Sequence, residues 1–133
     1  MRNTIVLVIS DEPSFVDAVK LVLDDHGYAG IPACTGREAL DKAKEISFDL
    51  VIADVPLPDV PGLEVLVNLR ETYPATPVVI TTGDYSKRLG EQALALGAVD
   101  VLSQPFSPTT LIGLTERILS SKPAHSEAIL RQQ

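Results

Sequence analysis

Four short polar clusters each follow directly on a run of apolar residues. They are Ser10-Asp11-Glu12 after Ile5–Ile9, Asp54 after Leu50–Ala53, Thr81-Thr82-Gly83 after Val78–Ile80, and Ser103-Gln104-Pro105 after Val99–Leu102. Two or three carboxylates gathered in a partly desolvated pocket repel one another, and the usual remedy is a divalent cation with oxygen ligands. Magnesium suits that donor set. A carboxylate beside such a cation can attack phosphorus to give an aspartyl phosphate, with a hydroxyl and nearby donors holding the phosphoryl oxygens. Asp54 is the candidate nucleophile, Asp11 a candidate metal ligand and Thr82 the candidate hydroxyl. Each has a plainer use taken singly, since an aspartate at a strand end can cap a helix and paired threonines suit a strand. Their shared position at the ends of apolar runs is what points to a site.

That position matters only if the runs are parallel strands. Short apolar runs alternate with longer amphipathic stretches along the chain, the pattern of a βαβα sheet. Four runs are continuously apolar, as strands covered by helices on both faces must be. A weaker run, Tyr28–Ala33, holds Gly30 and Pro32, and a residue that cannot donate to the ladder belongs at a sheet edge. In open sheets of this kind ligands bind beyond the carboxyl ends of the strands, where the polar clusters would meet.

The intervening helices carry readable punctuation. The first starts at Pro13-Ser14, shows Phe15, Ala18, Val19 and Val22 on one face, and stops before Gly27. Thr35-Gly36-Arg37-Glu38 has capping-box spacing ahead of Ala39, Ala43 and Ile46. A third helix follows Pro61-Gly62 with Leu63, Leu66 and Leu69, and a fourth places Leu89, Ala93 and Leu96 before a left-handed cap at Gly97. Ser107 and Pro108 open the fifth, which carries Leu111, Leu114 and Ile118 and is expected to end at Pro123. The segment 122–133 reads as a tail or the start of a linker.

Composition narrows the functions. The chain has 133 residues with 11 Lys and Arg against 18 Asp and Glu, a formal charge of -7, which argues against a direct nucleic-acid or anionic-membrane binder. A length near the usual domain size predicts one domain. Cys34 has no partner for an internal disulfide and reads as a small buried hydrophobe, while His26 and His125 read as a helix cap and a surface residue. A reducing cytoplasm fits, and no apolar stretch is long enough to span a membrane or serve as a signal peptide. There is no G-x-G-x-x-G, no G-x-x-x-x-G-K-[ST] and no G-x-S-x-G, so dinucleotide, P-loop and serine-hydrolase chemistries lack their frames. A haloacid-dehalogenase-like phosphatase would need a second acid two residues after Asp54, where Pro56 stands.

The segments Ile5-Val-Leu-Val-Ile-Ser-Asp-Glu-Pro13, Asp49-Leu-Val-Ile-Ala-Asp54 with Leu57-Pro58 and Pro61-Gly62, Pro77-Val-Val-Ile-Thr-Thr-Gly83, and Gly97-Ala98 leading to Gln104-Pro105-Phe106 together resemble the receiver domain of two-component response regulators. The resemblance covers residues 3–121. It implies a flavodoxin-like three-layer α-β-α sandwich with a parallel five-stranded sheet in the order 2-1-3-4-5, the order for which a member of this family serves as a standard example. It also implies a phosphoryl group accepted by Asp54 from a sensor histidine kinase or phosphotransfer protein, and magnesium held by Asp11, Asp54 and the backbone carbonyl of Pro56. Thr82 would contact the phosphoryl group, and the fourth and fifth helices would face an output domain or target protein; the bond matching Gln104-Pro105 is cis in the family, and the sequence leaves cis and trans open here. Such a chain supplies a nucleophile and a metal site for its own modification and is not otherwise an enzyme.

Several family positions depart from that pattern. Ser10 replaces the acid that precedes Asp11, Gln104 replaces the lysine, Val101 replaces the aromatic switch residue and Pro61 replaces the acid before Gly62. Three acids and a lysine leave two negative charges, and Asp11 with Asp54 leaves the same two, so the demand for a cation is unchanged. Magnesium would keep more of its water beside a neutral serine. Gln104 offers the phosphoryl oxygens only a neutral donor, so phosphorylation should be harder or shift the conformation less. A pseudo-receiver that binds partners without phosphorylation is therefore the second expectation, and a small α/β enzyme of another class the third.

Overall fold

The computed structural model describes residues 4–61, 63–83 and 87–131, with side chains described up to residue 120. Strands β1 (Ile5–Ile9), β2 (Ala29–Ala33), β3 (Leu50–Val55), β4 (Val78–Thr82) and β5 (Asp100–Ser103) alternate with helices α1 (Pro13–Asp25), α2 (Gly36–Glu45), α3 (Glu64–Thr72), α4 (Lys87–Ala95) and α5 (Pro108–Arg131). All strand pairings are parallel and the sheet order is β2-β1-β3-β4-β5, the flavodoxin-like arrangement expected from the sequence. The strand holding Gly30 and Pro32 is an edge strand, as a missing N–H requires.

Side-chain alternation divides the core in two. Leu7, Ile9, Val51, Ala53 and Ile80 pack with Ala39, Leu66, Leu69 and Ala93 on the side of α2, α3 and α4. Val6, Val8, Leu50, Ile52 and Val79 pack with Val19, Leu23, Leu111 and Ile118 on the side of α1 and α5. The central strands are buried on both faces, which is why their sequences read as unbroken apolar runs.

Four expectations need correction. The buried stripe of α1 is Val16, Val19 and Leu23, with Phe15 and Val22 flanking it and Ala18 exposed. Pro123 does not end α5, which continues to Arg131; proline lacks one N–H, and the turns on either side can keep the helix going. Leu96 lies outside the buried face, 45% exposed. Cys34 is exposed because it sits between the end of β2 and the cap of α2, where its N–H donates to Glu38 Oε1 at 2.6 Å.

That last bond shows the capping box displaced by one residue. Thr35 Oγ1 accepts from the Glu38 N–H at 3.0 Å, but the glutamate reaches back to Cys34 instead of Thr35. Thr35→Ala should cost about 1 kcal/mol in urea-induced unfolding, the usual worth of such a cap. An unchanged midpoint would mean that other groups suffice to hold the first turn. The remaining caps follow the sequence: Gly27 and Gly97 take left-handed conformations with φ of 84° and 106°, His26 Nδ1 lies 2.9 Å from the Val22 carbonyl, and Ser107 Oγ accepts from Thr110 N–H at 3.0 Å.

Candidate functional site

The parallel register places the carboxyl ends of β1, β3, β4 and β5 side by side, with Asp54 directly across from Thr81 and Thr82 across from Ser103. Asp54 is 6% exposed at the end of β3. Among the described residues, its two carboxylate oxygens take three side-chain hydrogen bonds. Ser10 Oγ donates to Oδ2 at 2.8 Å, Gln104 Nε2 donates to Oδ1 at 2.6 Å, and Thr81 Oγ1 donates to Oδ1 at 3.3 Å. Ser10 is itself held, because its Oγ accepts from the Glu12 N–H at 3.1 Å and its own N–H donates to the Ala33 carbonyl at 3.0 Å. Gln104 is held by its N–H, which donates to the Thr82 carbonyl at 2.7 Å. The Val55–Pro56 and Gln104–Pro105 peptide bonds are both cis.

Burial pushes the Asp54 carboxyl above the usual carboxylate range. The bonds from Ser10, Gln104 and Thr81 oppose that rise, and the nearby charge of Asp11 adds to it. The buried carboxylate does not stand alone at the mouth of the site. Asp11 and Glu12 are exposed, and one carboxylate oxygen from each comes within 4.8 Å of the other and of an Asp54 oxygen. Three hard oxygen donors this close, two of them open to water, form a set that fits a magnesium ion retaining part of its hydration.

Asp54, Asp11, Ser10 and Gln104 are thus gathered as their positions at strand ends predict. Thr82 is buried one residue beyond Thr81, and in a strand consecutive side chains leave opposite faces, so the hydroxyl that meets Asp54 directly is Thr81. The register is the signal that distinguishes the two threonines. Glu12 joins the acidic group, taking the place beside Asp11 that Ser10 leaves without charge. Val101 is half-buried and packs against the core on the α2, α3 and α4 side, a packing role for the position of the aromatic switch.

A parallel sheet in this order, with a buried aspartate and two exposed acids gathered at its carboxyl edge, defines the class of flavodoxin-like domains, in which ligands bind at that edge. Residues 6–116 match the response regulator receiver domain family, and the chain belongs to that family. It is 38% identical over 120 residues to the alkaline phosphatase synthesis transcriptional regulatory protein PhoP of Bacillus subtilis, covering 88% of this chain and 49% of that protein. It is 42% identical over 103 residues to the transcriptional regulatory protein KdpE of Mycobacterium tuberculosis, covering 77% of this chain and 45% of that one. The chain therefore spans about half the length of these relatives. Among solved structures, the chemotaxis protein CheY4 of Vibrio cholerae superposes with a TM-score of 0.83 at 35% identity, over 89% of this chain and all of the other. A CheY-like receiver domain protein from Methanospirillum hungatei gives 0.89 at 26% identity, over 93% and 99%. No helix among the described residues is long and apolar enough to cross a membrane.

Proposed function

We propose that Asp54 accepts a phosphoryl group from the phosphohistidine of a sensor histidine kinase or phosphotransfer protein, with magnesium held by Asp11, Asp54 and the Pro56 carbonyl. The observation that carries this reading is one buried carboxylate lined by donors and joined by two exposed acids. An Asp54 oxygen attacks phosphorus, the phosphorus–nitrogen bond breaks, and the departing imidazole nitrogen keeps the electron pair. A bound magnesium ion would offset the negative charge that collects on the carboxylates and phosphoryl oxygens. Each carboxylate oxygen has about two lone-pair sites. Among the described residues, Oδ1 accepts from the Gln104 and Thr81 side chains, whereas Oδ2 accepts from that of Ser10. The open position is therefore on Oδ2, and use of Oδ1 requires Gln104 to swing away. Gln104 and Thr82, which stands one residue nearer the carboxyl edge than Thr81, then serve the phosphoryl oxygens that extend beyond Asp54, and the signal leaves through α4 and α5 toward an output domain or target. The working unit is residues 3–121.

The pseudo-receiver is the second reading, and one feature favours it. Each Asp54 oxygen already accepts from a neutral donor, so the buried carboxylate is held in place without a cation or phosphoryl group. Incubation with a small phosphodonor and magnesium, read by intact mass, separates the two. The protein should gain one phosphoryl group. No gain, under conditions where an ordinary receiver labels, would assign it to the pseudo-receiver, and fluoroberyllate-induced NMR shifts near Asp54 and Thr82 give a second view of the same question.

A further inference from the structure

The loop between β3 and α3 is fastened to the start of α2. Asp59, five residues after Asp54, places its carboxylate across the start of α2. Oδ1 accepts from the Gly36 N–H at 2.8 Å and Oδ2 from the Arg37 N–H at 2.9 Å. These two bonds hold the Asp59 carboxyl below the usual carboxylate range.

The first turn of a helix has N–H groups without intrahelical partners. In α2 those of Gly36 and Arg37 go to Asp59 and that of Glu38 goes to Thr35. The ladder proper begins with Ala39 N–H to the Thr35 carbonyl at 3.1 Å. Two of the three free donors are thus closed by a residue from another element, and the positive end of the helix faces a carboxylate. The loop also lies hard against the helix. A Cβ built on Gly36 would stand 2.8 Å from Val60 Cγ2 and 3.1 Å from Cγ1, so this approach depends on a glycine at that position.

We propose that Asp59 is a positioning residue for the cation site: by pinning the 56–60 segment to the N-terminus of α2 it fixes the Pro56 carbonyl beside Asp54. The proposal rests on the magnesium reading above. Pro56 is three residues from Asp59, and with Leu57 buried beneath the loop the segment is anchored at both ends of its outward turn. The same two bonds make the first turn of α2 sense what happens at Asp54, because a cation that draws the Pro56 carbonyl inward pulls on Asp59.

The test is a magnesium titration of the full chain by calorimetry and by backbone amide shifts. In wild type the Gly36 and Arg37 amides should move with the same midpoint as the amides next to Asp54. Asp59→Ala should weaken magnesium binding about tenfold, the low end of what partners of metal ligands contribute, and silence the Gly36 and Arg37 responses. Gly36→Ala leaves Asp59 intact but pushes Val60 and the loop outward, and it should also weaken magnesium while alanine favours the helix. If both variants bind magnesium as wild type does, the clamp has only a structural role and the proposal falls. If wild type shows no magnesium response at all, the cation reading falls and the clamp's role goes with it.

Discussion

Asp54→Asn is expected to lose all labelling by a phosphodonor and, at neutral pH, to melt at a higher temperature than wild type. The first effect follows from removing the nucleophile. The second follows from linkage. The folded state raises the Asp54 carboxyl, chiefly by burial, so folding favours the protonated form and the charged form costs stability. Below the unfolded pKa, where the group carries its proton in both states, wild type pays nothing for it. As pH rises through that value and then through the higher folded one, wild type loses stability that the uncharged asparagine never loses. The difference in melting temperature should therefore be small at acid pH and full at neutral pH. Asparagine can keep Oδ1 toward Gln104 and Thr81 and turn its amide toward Ser10, whose hydroxyl can rotate to accept. Magnesium gives a control: it should raise the melting temperature of wild type by mass action and leave that of Asp54→Asn nearly unmoved. Equal melting temperatures across the pH range would show that Asp54 is stabilised in the fold as fully as it is in water.

The central strands are legible because burial on both faces leaves their sequence no choice but an unbroken apolar run. In α1 the pattern was ambiguous for a physical reason. Phe15, Ala18 and Val22 form one apolar stripe and Val16, Val19 and Leu23 another, adjacent to it, and only packing against α5 and the sheet selects the second. Pro123 misleads because an interior proline, though it removes one N–H and crowds the carbonyl four residues back, can bend a helix without ending it.

At the site, the strand ends identify Asp54, Asp11, Ser10 and Gln104 because parallel strands must bring their carboxyl ends together. Thr81 and Thr82 look alike along the chain, and only the pairing of β3 with β4 shows which one shares a face with Asp54. Asp59 was hidden more deeply. Its partners are backbone N–H groups, which every residue but proline carries and no side-chain pattern reveals.

Gln104→Lys should accelerate labelling of Asp54 about tenfold while weakening magnesium binding. A neutral hydrogen bond contributes about 1 kcal/mol and one from a charged group about 1.5–3 kcal/mol. A gain of about 1.4 kcal/mol on the incoming phosphoryl oxygens is a factor of about ten in rate. The lysine would occupy the position from which the amide now reaches Asp54 Oδ1 at 2.6 Å. In the resting state its charge pairs with Asp54 and competes with magnesium for it, so affinity for the ion falls even as the transfer speeds up. Ser10→Asp acts in the opposite sense. It removes the hydroxyl that donates to Oδ2 and adds a third acid beside Asp11 and Glu12, so magnesium should bind more tightly and the lone pairs of Oδ2 become free. Placed alone, that aspartate crowds charge around a buried carboxylate and should lower the melting temperature in the absence of magnesium. Combined with Gln104→Lys, the added acid and the added base compensate each other, and the double variant should exceed either single one in labelling. If Gln104→Lys labels at the wild-type rate, charge at this position does not limit the transfer, and the opening of Oδ2 by Ser10 becomes the step to measure.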